Sequence, residues 1–150
     1  MMLHAMTIVP LLLAGLLVLE SAAPALAGQP SQQRRESASV ELIGVNHHGR
    51  ERRAQRFDAD RLRSLVIQVG WRTLVGIHTQ RLELITPDGS VYQTLTQPVE
   101  SVTGTAVVET RLPVAGTWIT QYDLHGRWTV NVYLDDAVKP VTSAGFTIAK

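Results

Sequence analysis

The sequence predicts an all-β protein: an antiparallel two-sheet sandwich of about seven or eight short strands, following an N-terminal signal peptide. After residue 40, apolar residues alternate with polar ones at a period of two, which is typical of strands with one buried face. Turn signals such as Pro87-Asp88-Gly89-Ser90 divide these runs into short pieces. No segment after residue 27 carries a sustained helical stripe, since the one weak candidate, over 53–63, has too few apolar residues.

The N-terminus reads as an export signal. The apolar run from Ile8 to Leu19 is shorter than the about 20 residues that a membrane-spanning helix needs. It leads into Ala25-Leu26-Ala27, the small-residue pattern that precedes a signal-peptidase cut. We therefore expect a signal peptide over 1–27, a flexible polar leader over 28–39 and a single domain over 40–150. Residues 1–7 contain no Lys or Arg, so an uncleaved segment that tethers the domain stays open as an alternative.

The composition narrows the class of protein further. The chain has no cysteine, which excludes disulfides, a thiolate nucleophile, c-type haem attachment and a lipidated N-terminal cysteine. The net charge is +1, too small to favour a nucleic-acid partner. We expect a soluble periplasmic or secreted protein that is not a lipoprotein, has no membrane span once the signal is cut, and binds no cofactor.

The sequence pattern predicts five strands in the first half of the domain. The first alternates around Leu42, and the second is apolar enough to be buried on both faces. The third and fourth form a hairpin around the Pro87-Asp88-Gly89 turn, because proline presets φ and glycine accepts a positive φ. The predicted strands cover residues 40–45, 65–71, 78–86, 91–95 and 105–112.

The sequence pattern predicts three more strands in the second half of the domain, over 117–122, 127–134 and 145–149. The strand over 127–134 has the clearest alternation in the chain. Its inward residues are Trp128, Val130, Val132 and Leu134, and its outward residues are Arg127, Thr129, Asn131 and Tyr133. Both Trp128 and Trp71 are expected in the core.

Residues 112–118 and 124–135 resemble the last strands of immunoglobulin-like domains in bacterial envelope proteins. The Pro87-Asp88-Gly89 turn before a tyrosine-containing strand is similar to the central hairpin of macroglobulin-type and fibronectin-type sandwiches. The likeness extends loosely over residues 40–150, without the Cys–Trp–Cys set of antibody domains. It implies an adhesive, spacer or docking module, and no activity.

The sequence favours a noncatalytic interaction domain that contacts another envelope protein. Arg127, Asn131 and Tyr133 share a polar strand face of the composition typical of protein or sugar contacts, so we expect them to form the partner-binding patch. A basic stretch over 50–63 is a second surface, suited to anionic glycans or lipid headgroups because guanidinium groups bind carboxylates and phosphates bidentately. Its arginines are Arg50, Arg52, Arg53, Arg56, Arg61 and Arg63.

Two alternatives stay open. A carrier of a metal or a carbohydrate would use exposed aromatic rings or four histidines, His47, His48, His78 and His125, although their spacing matches no common metal-binding motif. An enzyme is the third reading, but no Gly-x-Ser-x-Gly motif frames a serine. The pair Asp58 and Asp60 has too few ligands and no glycine for a calcium loop.

Overall fold

The computed structural model describes residues 36–150, so the predicted signal peptide and residues 28–35 of the predicted leader lie outside the described residues. The described part is all-β, with seven strands and one short helix. The strands are β1 (Ser37–Asn46), β2 (Glu51–Arg53), β3 (Arg56–Asp58), β4 (Leu62–Ile85), β5 (Val91–Pro113), β6 (Gly126–Leu134) and β7 (Thr142–Ala149), with helix α1 (Trp118–Gln121) between β5 and β6.

Hydrogen bonds join all seven strands into one curled, mixed sheet. Its order is β2-β1-β4-β6-β7-β3, and β5 pairs with β4. Every pair is antiparallel except β3 with β7, which run parallel. The prediction of an all-β fold is therefore confirmed. The prediction of a two-sheet antiparallel sandwich is not confirmed, and the prediction that all strands pair antiparallel is wrong for β3 and β7.

Strands β4 and β5 form one long hairpin that bends at its middle. β4 combines the predicted strands over 65–71 and 78–86, and β5 combines those over 91–95 and 105–112. The bend lies where the β4–β5 register shifts, between Arg72 and Gly76. Thr73 (φ 57°), Gly76 (φ 106°) and Gly104 (φ 87°) adopt positive φ there. Such a bulge bends paired strands without ending the ladder, and in the sequence it looks like a loop.

The bent hairpin explains why the sheet curls. β5 follows one edge of β4 along nearly its whole length. On the other edge, β1 pairs with residues 62–72 of β4, and β6 pairs with residues 80–85. The two halves of β4 therefore carry different neighbours, and the bend between them turns their inner faces toward a common core.

The core is built on the inward faces of β4, β6 and β7. Trp71 and Trp128 are 1% and 0% exposed, so their predicted core positions are confirmed. The Trp128 ring stacks on Phe146, with ring centroids 6.0 Å apart, and meets the edge of Tyr92 at 5.3 Å. The inward alternation predicted for β6 is confirmed for Trp128, Val130 and Val132, which are fully buried.

The strand predicted over 117–122 is wrong, because this segment forms the one-turn helix α1. Thr117 has extended backbone angles, and its side-chain oxygen accepts a hydrogen bond from the N–H of Ile119 at 3.3 Å, which starts the helix. Ile119 is fully buried, whereas Trp118 and Tyr122 are about two-thirds exposed. Within residues 36–150, no helix is both long and apolar enough to cross a membrane.

Candidate functional site

A cleft of about 530 Å³ lies where the turn after β1, strand β2 and the β3–β4 connection meet. Its apolar lining consists of Gly44, Phe57 and Leu62. Its polar lining combines three arginines with two acids and one amide: Arg50, Arg52, Arg61, Glu51, Asp58 and Asn46. We call this site the arginine cleft.

The β1–β2 turn places Arg50 and Arg52 on the cleft. The side-chain oxygen of Asn46 accepts hydrogen bonds from the backbone N–H groups of His48 at 3.0 Å and Arg50 at 2.9 Å. This arrangement, in which an asparagine closes the turn after itself, returns the chain along β1. Arg52 then pairs with Gly44, and directly opposed residues of an antiparallel pair share a face. Arg52 therefore lies on the face where Gly44 offers no side chain.

The floor of the cleft depends on that glycine. An added Cβ on Gly44 would lie 2.6 Å from two carbons of the Phe57 ring, closer than nonbonded carbon atoms approach. Phe57 and Leu62 are 5% and 4% exposed, so the floor is a closed apolar surface below the charged rim. Gly44 thus allows β3 to pack its aromatic ring directly onto β1.

The arginines of the cleft are only partly neutralised. Arg61 pairs with Asp58 at 3.6 Å, but both side chains are exposed, and such surface pairs contribute little stability. The Arg52 guanidinium donates to the carbonyl oxygen of Arg56 at 3.1 Å. Among residues 36–150, no carboxylate forms an ion pair with Arg50 or Arg52. Both guanidinium groups therefore keep donor capacity for an anion.

The cleft uses part of the basic stretch predicted over 50–63. Arg53 points elsewhere and pairs with Glu41 on β1 at 3.1 Å. Arg56 and Arg63 are outside the cleft lining. Sequence reasoning identified the basic segment but missed Gly44, Asn46 and Phe57, which form the concave shape.

The patch predicted on β6 lies on one face, but two of its three side chains already have partners within the protein. Tyr133 is 8% exposed, and its hydroxyl donates to Glu83 Oε2 at 2.9 Å. This hydrogen bond, together with burial, raises the pKa of the Tyr133 phenol. The Arg81 guanidinium carbon lies 4.0 Å from the centre of the Tyr133 ring.

The other two members of the patch differ in exposure. Asn131 is half-buried and accepts a hydrogen bond from Ser143 Oγ at 2.7 Å. Arg127 is exposed, and its guanidinium lies beside Gly145 of β7. Of the three predicted residues, Arg127 is therefore the one with an exposed side chain.

The four candidate histidines lie in three separate parts of the fold. His47 and His48 are exposed in the β1–β2 turn, His78 lies in the second half of β4, and His125 precedes β6, with Nδ1 3.9 Å from an oxygen of Asp123. In the described part of the chain, no group of three His, Cys, Asp or Glu residues is placed to hold a metal ion. The structure does not bring the four histidines together.

His78 and Asp135 form a hydrogen-bonded pair outside the cleft whose charges depend on pH. His78 Nδ1 lies 2.9 Å from Asp135 Oδ2, and Nε2 lies 3.0 Å from the carbonyl oxygen of Val75. Because both ring nitrogens face acceptors, the doubly protonated ring is favoured, and the pKa of His78 is raised, chiefly by the bond to Asp135. The same bond, with a second from the N–H of Thr79, lowers the pKa of Asp135.

Comparison with known proteins adds no family. A scan against protein-family models and a search of the curated proteins both found no match to this chain. The geometry of the arginine cleft is therefore the strongest basis for a functional conclusion.

Proposed function

We propose that the protein is an exported, noncatalytic interaction module of the cell envelope that binds an anionic glycan through the arginine cleft. The observation that carries this proposal is the convergence of Arg50, Arg52 and Arg61 on one concave site. A guanidinium group keeps its proton throughout the physiological pH range, so these side chains bind charge and do not transfer protons. This chemistry supports a binding role.

The mixed charge of the cleft favours an acidic sugar. Arg50 and Arg52 offer paired N–H donors to a carboxylate, which bind it bidentately. Glu51 and Asp58 can accept hydrogen bonds from sugar hydroxyls. The volume of about 530 Å³ lies within the range of about 300–1,000 Å³ that is usual for small-ligand sites.

We also propose that the curled sheet packs as the two layers of an immunoglobulin-like sandwich. The support comes from β5, where the Thr110 hydroxyl in one half donates to Gln97 Oε1 in the other at 2.6 Å. Gln97 pairs with Gln80, and Thr110 pairs with Ile67, so this bond joins the two sides of the bend. Export is supported by the sequence of residues 8–27, which lie outside the described residues.

An envelope protein remains the partner that we propose for the outer face of β6. The exposed side chain of Arg127 supports this contact, and Asn131 keeps donor capacity on its amide nitrogen. Tyr133 would contribute through the Arg81 guanidinium that covers it.

The glycan proposal is tested by calorimetric titration of the protein with an oligomer of a uronic acid, with a neutral oligosaccharide of equal length as reference. The test variant is Arg50→Gln with Arg52→Gln. A matched control is Arg72→Gln with Lys139→Gln, which removes the same charge at exposed positions outside the cleft lining.

We expect the acidic oligomer to bind the wild type and the control alike. The cleft variant should bind at least about tenfold more weakly, since losing charged hydrogen bonds costs more than about 1.4 kcal/mol. If both variants bound the acidic oligomer equally weakly, net charge alone would account for binding, and this would contradict a binding site in the arginine cleft. Tighter binding to phospholipid vesicles than to the uronic acid would contradict the glycan.

A further inference from the structure

One edge of β5 has no strand beside it in residues 36–150. β5 pairs with β4 along its inner edge, and no other strand of the described residues pairs with it. Over residues 91–97, no hydrogen bond among the described residues reaches a backbone N–H or C=O group of the outer edge; Thr110 bonds only the side chain of Gln97. Alternate N–H and C=O groups of this edge are therefore available to another extended chain.

Most of β5 carries features that discourage such pairing. Pro98 follows the segment over 91–97, and the irregular bend with Gly104 at positive φ comes next. Glu109, Arg111 and Pro113 mark the last part of the strand. Charges, prolines and bulges are the devices by which proteins protect an edge strand.

The segment over 91–97 has no charge and no proline, and its one irregularity is a register shift between Val91 and Gln93. Its sequence, Val-Tyr-Gln-Thr-Leu-Thr-Gln, contains no charge, no proline and no glycine. Its residues are mostly β-branched, aromatic or uncharged polar, and Thr94 to Gln97 pair with β4 without a register shift. An edge of this kind is open to strand addition.

An exposed aromatic surface adjoins the start of this edge. A shallow depression of about 410 Å³ is lined by Tyr92, Gln93, Thr117 and Trp118. Trp118 is 65% exposed and Tyr122 is 67% exposed, and their rings meet edge to face with centroids 6.0 Å apart. A side chain of an added strand would find an apolar ring here, outside the core.

We propose that residues 91–97 of β5 bind an extended, uncharged segment of a partner protein as an added strand, with one of its apolar side chains packed on Trp118. An extended polypeptide is the occupant that matches a regular row of backbone donors and acceptors. The absence of charge on residues 91–97 favours an uncharged partner segment. This site is separate from the arginine cleft and does not depend on the glycan.

The position of Trp118 favours a different protein over a second copy of this chain. Two copies that pair through this segment about a two-fold axis run antiparallel, which places Val91 of one opposite Gln97 of the other. Trp118 adjoins Tyr92 and Gln93, so each ring would then lie opposite Thr96 and Leu95 of the other copy, and Leu95 is already packed against its own core. A foreign strand with an apolar residue at that position fits better.

The probe for the test is a capped heptapeptide of alternating threonine and valine with one leucine. Its control is the same peptide N-methylated at alternate residues, which cannot donate the backbone hydrogen bonds. Binding to the full chain is followed by shifts of backbone amide signals in NMR spectra. The variants are Trp118→Ala and, as a matched control, Val138→Ala at an exposed position in the β6–β7 loop.

We expect the peptide to shift the signals of residues 91–97 and the indole signal of Trp118. N-methylation and Trp118→Ala should each weaken binding about tenfold, while Val138→Ala leaves it unchanged. Equal binding of the N-methylated peptide, or shifts confined to other strands, would overturn the proposal. Concentration-dependent dimerisation that Thr94→Lys abolishes would overturn it in favour of a second copy.

Discussion

Replacing His78 by glutamine is expected to destabilise the protein at about pH 5 and to have little effect at about pH 8.5. His78 connects two parts of the fold, because its ring contacts Asp135 after β6 and the Val75 carbonyl at the bend of β4. Only the protonated ring can donate both hydrogen bonds. Glutamine has a similar length but carries no charge at any pH.

The direction of the pH dependence follows from the two shifted pKa values. The folded protein raises the pKa of His78 above its ordinary 6.5, so the ring adds stability below that pH and loses it as the pH rises through the raised value. The pKa of Asp135 is lowered below its ordinary 3.8. Its contribution is present above that pH and is lost on acidification. The His78–Asp135 pair therefore stabilises the fold most at pH values between 3.8 and 6.5, the ordinary pKa values of the two groups.

The size of the effect follows from the contacts and their exposure. Hydrogen bonds to charged groups contribute about 1.5–3 kcal/mol each when they are shielded from solvent. The His78 side chain is 22% exposed and that of Asp135 is 50% exposed. Solvent screening reduces the expected loss to about 1 kcal/mol in all. For a domain of this size, that loss corresponds to a decrease in Tm of about 4 °C.

The measurement is thermal unfolding of both proteins, followed by circular dichroism across this pH range. His47→Gln, in the exposed β1–β2 turn, serves as the control and should follow the wild type at each pH. An equal decrease in Tm for His78→Gln at about pH 5 and 8.5 would show that the protonated ring is not what stabilises the bend.

Two further predictions concern packing and are measured by urea denaturation. The Trp71 indole donates to Gln80 Oε1 at 2.8 Å in the core, where Gln80 Nε2 has no partner among the described residues. Because Trp71→Phe removes this donor, we expect the free energy of unfolding to fall by about 1–3 kcal/mol beyond the effect of the packing change. Adding Gln80→Leu to Trp71→Phe should recover part of that stability. If the effects of the two single substitutions simply add, the two side chains are not coupled and the prediction is wrong. Gly44→Ala should lower the free energy of unfolding by about 1–3 kcal/mol, because the added methyl group presses on the Phe57 ring. Adding Phe57→Leu should restore part of this stability. An unchanged free energy of unfolding in Gly44→Ala would show that β3 does not pack there.

Much of the fold could be predicted from local pattern. The alternation from Trp128 to Leu134 predicted β6 because Trp128, Val130 and Val132 on its inner face are fully buried and Leu134 is partly buried. The bulges within β4 and β5 could not be predicted, since Thr73 and Gly76 look like a loop when the long-range pairing with β5 is unknown. The segment after Gly116 was misread because Trp118 and Ile119 have high strand propensity, whereas the Thr117 cap starts a helical turn.

The candidate site was predictable in its charge and not in its shape. The arginines over 50–63 were visible in the sequence, but which of them converge depends on contacts between β1 and β3. Gly44 and Phe57 are separated along the chain and meet through packing alone. In the same way, Tyr133 was predicted on the outer face of β6, but its burial and its hydroxyl bond to Glu83 on β4 depend on the strand pairing.

NMR of the arginine Nε–Hε groups shows directly whether the arginine cleft holds an anion. The full chain is titrated with the uronic acid oligomer, and each arginine is assigned by its Arg→Lys variant. We expect the signals of Arg50 and Arg52 to shift together and saturate, while that of Arg72 on β4 does not move. Small, unsaturated shifts spread equally over all arginines would contradict this expectation, because they would indicate diffuse attraction to surface charge and no cleft.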